Sequence, residues 1–177
     1  MQGIALLMVL IFMLIISLLG LCMLQMAIFE TKQSQLIWQR NEVRFAAEQA
    51  LRIVEDNLQV YVPYCVIPVA TVAQLLSYSL RWWQSPQSCA GNFQTFQYYY
   101  VVELLGNDPC GYIQLDLQKS FATYLRITLL GVSGDTRILL QSTIVKSSRA
   151  GDDSLSCDSV SHVVNVGRQM WRELKES

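Results

Sequence analysis

The chain has 177 residues and a net charge near −1, with 13 Lys and Arg set against 14 Asp and Glu. That balance gives no reason to expect nucleic acid or an anionic lipid surface as a partner. A hydrophobic content of 52% and a mean hydropathy of +0.29 come largely from one N-terminal stretch, which leaves one domain's worth of ordinary chain behind it.

That stretch is Ile4 to Ile28. No charged residue occurs from Met1 to Phe29, and Ser17 and Gln25 are the polar side chains inside the run. At a rise of about 1.5 Å per residue, a helix of this length crosses a hydrocarbon core of roughly 30 Å. The helical pattern continues past the membrane. The first proline is Pro63, and no glycine lies between Gly20 and Pro63. Leu36, Val43, Ala47, Ala50, Leu51, Val54, Leu58 and Tyr61 recur at steps that keep them on one stripe of a helix. Glu48 stands four residues before Arg52, the favoured order for a supporting pair. The spacing predicts one helix from Ile4 to Tyr61, about 85 Å long, with its second half laid against a globular head.

Val62-Pro63-Tyr64-Cys65 ends the helix, because a proline disfavours helical geometry in the residue before it. Thr71 to Trp83 reads as a short helix, with Thr71 as its cap and Val72, Leu75, Leu76, Leu80 and Trp83 at helical spacing. Trp82 and Trp83 invite a binding-surface reading, but half-buried packing against the long helix is the simpler expectation. Gln84 to Asn92 reads as a loop tied by Cys89.

The period then changes to two. Phe96, Tyr98, Tyr100, Val102 and Leu104 alternate with Gln97, Tyr99, Val101 and Glu103, which predicts a strand with one greasy face. Gly106 to Gly111 is rich in turn formers and reads as a loop. A second strand, Tyr124 to Leu130, aligns Leu125, Ile127 and Leu129. Gly131 to Asp135 is a hairpin-type connection, and a third strand, Arg137 to Lys146, aligns Ile138, Leu140 and Ile144. Ser147 to Ser159 is a polar loop. Its Asp152 and Asp153, with Asp158, match no calcium-loop spacing, so a solvated loop is the expectation and no metal site is assigned. The final segment reads as a strand around Gly167 to Leu174, since Gly167 interrupts a helical reading.

Five cysteines divide unevenly. Cys22 lies inside the apolar run, while Cys65, Cys89, Cys110 and Cys157 are spread over the remainder. With no C-x-x-C pair and His162 as the single histidine, the four make a poor zinc site and a good pair of disulfides, which implies an oxidising compartment. Three connectivities remain open. Lys32, Arg40 and Arg44 follow the apolar run while nothing basic precedes it, so the positive-inside tendency alone puts the C-terminal part in the cytoplasm. The cysteines place it outside, and Glu30 and Glu42 offset the basic residues. No catalytic residue is assigned and no cofactor is expected: the chain lacks G-x-S-x-G, H-E-x-x-H and a phosphate-cradling glycine loop.

Met1-Gln2-Gly3 carries no charge, and the apolar run is too long for the core of a cleaved secretory signal. A plain signal anchor is one reading. The other makes Gly3 a cut site ahead of the run, so that the run stays in the mature protein.

Gln2-Gly3-Ile4-Ala5-Leu6, the long apolar run, Leu18 to Glu30 and Phe45-Ala46-Ala47-Glu48-Gln49-Ala50-Leu51 resemble the N-terminal region of PilX-type minor pilins of type IV pili. Tyr124-Leu125-Arg126-Ile127-Thr128 followed by Leu140-Gln141-Ser142-Thr143 is similar to the C-terminal hairpin of the same family. The resemblance implies an α+β pilin-like fold, a long N-terminal helix packed on a small antiparallel sheet. Residues 1–3 would be a prepilin leader, 4–29 the transmembrane and polymerisation helix, 30–62 its amphipathic continuation and 63–177 a disulfide-containing head.

The resemblance further implies cleavage between Gly3 and Ile4 by a prepilin peptidase, then methylation of the new N-terminus. Filament packing would run through Leu6, Leu7, Met8, Leu10 and Leu14. Met8 stands at the fifth mature position, where major pilins carry a glutamate, and an apolar residue there is common in the PilX group. The implied partners are other minor pilins, the major pilin, the inner-membrane assembly machinery and the membrane itself. The implied place is the inner membrane, single-pass, with a periplasmic head, and then the extracellular pilus. The alternatives are a type II secretion minor pseudopilin, whose larger inserted domain has no room here, or a membrane-tethered domain that never polymerises.

Overall fold

In the computed structural model, residues 2–60, 63–94, 96–113, 120–149 and 162–174 are described, together with the backbone but not the side chains of Gln2–Leu7, Val9, Leu24, Tyr112, Ser120, Ser148 and Arg149. The chain divides into two compact units, Met1–Asn41 and Glu42–Ser177.

The first helix, α1 (Gln2–Val60), takes up all of the described first unit and enters the second. In the first unit its described side chains are exposed, among them Leu10, Phe12, Leu14, Leu18, Met23 and Phe29. Up to Phe29 the helix is apolar all round and its described side chains find no cover in the chain, which suits lipid or a bundle of helices; from Glu30 onward it also carries Glu30, Lys32 and Arg40. By length and composition α1 can cross a membrane, and none of its apolar window is buried within the chain. In the second unit the same helix is amphipathic. Val43, Ala47, Ala50, Leu51, Val54 and Leu58 are buried, as their spacing predicts, whereas Leu36, expected on the same stripe, is exposed and Tyr61 lies outside the described residues. Each buried Leu of that stripe contributes about 1.5–3 kcal/mol by leaving water.

The stripe lies on a sheet. Its strands are β1 (Val66–Ile67), β2 (Cys89–Phe93), β3 (Phe96–Ile113), β4 (Ser120–Ser133), β5 (Thr136–Arg149), β6 (His162–Val163) and β7 (Gly167–Leu174). The main path is β1-β3-β4-β5-β7, and β2 and β6 also pair with β3. Pairing is antiparallel for β2–β3, β3–β4, β4–β5 and β5–β7. It is parallel for β1–β3 and β6–β3, so the sheet is mixed rather than antiparallel throughout. These two-residue strands carry no periodicity of their own from which a direction could be read.

β4 and β5 form the expected hairpin, longer at each end than its apolar core. Ser133 pairs with Thr136 around a two-residue connection. Gly134 takes φ +56° at its first central position, where such connections favour glycine. β7 occupies the residues expected of it. The segment Gly106 to Gly111 is a correction: it lies within β3, with register shifts between Leu104 and Gly106 and between Asp108 and Tyr112. Turn-forming residues here serve irregularities in a ladder, a role that their composition does not separate from that of a loop.

Both faces of the sheet are covered. Alternation along β3 sends Phe96, Tyr98 and Val102 to the α1 side and Tyr99 and Val101 to the other, which explains why the segment is apolar without a break. The second face is closed by α2 (Val72–Ser77) and α3 (Leu80–Trp83), which together replace the single short helix expected. Thr71 caps α2 in a capping box with Gln74, and Ser79 caps α3. Trp83 is 1% exposed and packs with Leu75, Tyr99 and Val101 on this second face. It does not join the α1 cluster, contrary to expectation.

Candidate functional site

The residues assigned to filament packing fall in the first unit. Gly3, Ile4, Leu6 and Leu7 belong to α1, and the side chains there lie outside those described. Met8, Leu10 and Leu14 are 57%, 63% and 58% exposed. Leu10 and Leu14 share a face as an i, i+4 pair, whereas Met8 lies about 200° around the helix from Leu10. They form no single stripe. The exposed apolar surface wraps the helix, which suits a fluid lipid surround and also contact with several neighbours at once.

Cys65 and Cys89 are joined, with their Cα atoms 5.5 Å apart. Cys110 is also disulfide-bonded, and Cys22 is a free, exposed thiol. Cys157, with Asp152, Asp153 and Asp158, lies outside the described residues. The Cys65–Cys89 bridge ties the segment that leaves α1 to the start of β2. Beside it, the Cys65 carbonyl accepts from the Val102 amide at 3.1 Å, which seats the segment on β3.

Among the described residues, two ion pairs anchor buried carboxylates in the head, and sequence reasoning assigned neither. Glu103 on β3 is fully buried and stands directly across from Arg126 on β4. Arg126 Nε donates to Glu103 Oε2 at 2.7 Å and Nη2 to Oε1 at 2.6 Å. The same pair grips the chain before α2: Ala70 N–H donates to Glu103 Oε1 and Arg126 Nη2 donates to the Ala70 carbonyl, both at 2.7 Å. The hydrogen bond and charge of Glu103 hold the Arg126 guanidinium above its ordinary pKa, although burial pulls the other way. The signal in the sequence is a lone carboxylate inside Val101-Val102-Glu103-Leu104-Leu105, where burial without a partner is costly.

The second pair joins α1 to β7. Arg168 Nε reaches the two Glu55 oxygens at 2.9 and 3.0 Å, and Nη2 reaches Oε2 at 2.7 Å. Along the same seam the Arg44 guanidinium sits over the Trp171 ring, 5.7 Å from its centroid. Here the two partners lie too far apart in the chain for spacing to relate them.

Chemistry has little to work with in the head. Among the described residues no group of three or more His, Cys, Asp or Glu converges as a metal site. His162 Nε2 lies 3.2 Å from Asp108 Oδ2, and Asp108 Oδ1 accepts from the Cys110 and Gly111 amides. That arrangement closes a turn and lines up no nucleophile. Burial raises the Tyr98 phenol above its usual pKa, which keeps it neutral rather than reactive. No protein-family model matches the chain, and no curated protein or solved structure matches it either.

Proposed function

We propose that this chain is a minor pilin of a type IV pilus, a subunit that enters a helical filament or its initiating tip complex through α1. One observation carries the reading: the same helix is apolar and uncovered up to Phe29, yet amphipathic and sealed onto a sheet in the Glu42–Ser177 unit. A helix built this way has one surface for its own head and another for surroundings that are not water. Lipid provides those surroundings for the precursor, and sibling helices provide them in a filament. The Cys65–Cys89 bridge supports an oxidising compartment for the head, which in this reading is the periplasm and then the cell exterior.

Met8 refines the place in the filament. A new N-terminus at Ile4 carries a positive charge, and burying it unpaired costs several kcal/mol. A glutamate at the fifth mature position meets that cost in major pilins, and Met8 does not. A subunit at the tip is spared one such contact, because nothing sits above it. In this reading the protein sits at or near the tip, scarce, and active in starting assembly together with other minor pilins.

Processing tests the assignment. Intact-mass analysis of protein taken from membranes is expected to show loss of Met1 to Gly3 and one added methyl group, with Gly3→Ala blocking both. A chain that begins at Met1 in the assembled protein would instead describe a membrane-tethered domain.

A further inference from the structure

Between the segment Tyr64–Ala70 and the segment Gln74–Gln87 lies a cleft of about 490 Å³, within the size range of small-molecule sites. Its walls carry Tyr64, Val69, Gln74, Tyr78, Trp82 and Gln87, and among the described residues no charged side chain lines it. We propose that this cleft binds a neutral sugar of one or two rings. The proposal goes beyond the pilin reading and does not depend on it.

The walls are held in place before any ligand arrives. The Cys65–Cys89 bridge fixes the root of one wall to the strand that follows the other. Glu103 and Arg126 hold both backbone groups of Ala70 at the end of the first wall. The capping box fixes Gln74, and the Ser88 hydroxyl donates to the Trp83 carbonyl at the end of the second. A surface loop that only joined two elements would not need four separate restraints.

On this frame the exposed groups have the character of a sugar platform. Tyr78 stacks on Trp82 with ring centroids 3.8 Å apart and planes 23° from parallel, and both rings stay half-buried. Tyr64 is 81% exposed although it adjoins a disulfide, so folding alone does not use its ring. A pyranose offers an apolar face of ring C–H bonds with hydroxyls around the rim, and an aromatic ring beside polar groups matches that pattern.

The polar groups match as well. Gln74 Oε1 is occupied by the Thr71 amide at 2.8 Å and the Thr71 hydroxyl at 3.2 Å. Its Nε2 donors have no partner among the described residues. The Gln87 amide and the Tyr64 hydroxyl add groups that both donate and accept, the complement of sugar hydroxyls. A charged ligand such as a nucleotide would find no counter-charge here. An oligoproline segment also favours aromatic clefts, but it offers carbonyl acceptors alone and leaves the acceptor side of these groups unmatched.

The test uses the full chain in phosphatidylcholine nanodiscs, since glycoside detergents would compete. Saturation-transfer NMR is recorded with lactose, cellobiose, N,N′-diacetylchitobiose and an oligoproline peptide. At least one disaccharide is expected to bind with a Kd on the order of 1 mM, with transfer strongest at ring C–H protons. Tyr64→Ala and Gln74→Glu are expected to weaken it about tenfold. Gln74→Glu keeps an oxygen to cap α2 and replaces the N–H donors with a second carboxylate oxygen, and the negative charge it adds sits in the first turn of α2, where a helix tolerates it. An unchanged thermal transition and an intact Cys65–Cys89 bridge verify both variants. Absence of transfer to all three sugars, transfer indifferent to both substitutions, or binding of the oligoproline alone would each overturn the proposal. None of these outcomes touches the N-terminal mass that tests the pilin reading.

Discussion

Glu103 and Arg126 face each other across β3 and β4, joined by hydrogen bonds of 2.6 and 2.7 Å, with Glu103 fully buried. A buried carboxylate is tolerated only while its partner stays, so the two residues are unequal targets. Arg126→Met is expected to cost about 3–5 kcal/mol by leaving Glu103 unpaired. It also frees the Ala70 carbonyl. Pairing it with Glu103→Leu is expected to restore much of the loss. Denaturant unfolding in detergent, followed by tryptophan fluorescence, reads both, and a single variant as stable as the parent would show that the pair contributes little.

Gly131 on β4 lies under α1. A Cβ added there would come 2.5 Å from Phe96 Cζ and 3.1 Å from Ala47 Cβ. Ala47 and Ala50 are both fully buried, and small residues on both sides bring helix and sheet together. Gly131→Val is expected to cost about 1–3 kcal/mol by forcing them apart. Gly134→Ala makes a useful comparison, because that site has open space and its penalty comes from φ +56° alone. Equal losses at the two glycines would argue against close packing at Gly131.

Much of this architecture is legible in the sequence, and the illegible parts share a cause. Val43, Ala47, Ala50 and Leu51 declare a buried stripe because helical spacing is a local property. Leu125, Ile127 and Leu129 do the same at period two. The hairpin announces itself through Gly134. Trp83, by contrast, was expected against α1 and lies on the other face of the sheet, a choice that depends on how Tyr99 and Val101 are already disposed. Glu103 with Arg126, Glu55 with Arg168 and Cys65 with Cys89 are likewise pairings across the fold, which no local pattern encodes. β1 and β6 are two residues each, too short to carry any period. Leu10 and Leu14 are legible as apolar, and within the chain both are exposed.

Tyr98 gives the head a limit at high pH. Burial raises its phenol above the usual value near 10, so the folded protein holds the proton longer than the unfolded chain does. The sign follows from linkage: the stability tied to the neutral phenol is complete below the unfolded pKa and is lost as pH rises from there through the folded pKa. Stability is therefore expected to fall above pH 10 or so. Tyr98→Phe should remove part of that slope, and phenolate absorbance followed during base titration should show a late step that this substitution removes. A titration in which all tyrosines ionise together would place the Tyr98 hydroxyl in water.

The cysteines yield a labelling pattern. Cys65 and Cys89 are bridged, Cys110 is disulfide-bonded and Cys22 is free. Protein unfolded without reductant and treated with a maleimide is expected to take up label at Cys22 and none at Cys65, Cys89 or Cys110, as read by peptide mapping. Cys22→Ser should then leave Cys65, Cys89 and Cys110 still unlabelled. The pattern also reads topology, because bridges form and persist only where the compartment is oxidising. Adducts at Cys65 or Cys89 in freshly prepared membranes would put the Glu42–Ser177 unit on the reducing side, where the basic residues after the apolar run would place it. The bridge links an arm of the cleft to β2 and is expected to contribute about 2–4 kcal/mol. Mild reduction should therefore lower the unfolding midpoint of the head while leaving the helicity of the apolar run unchanged.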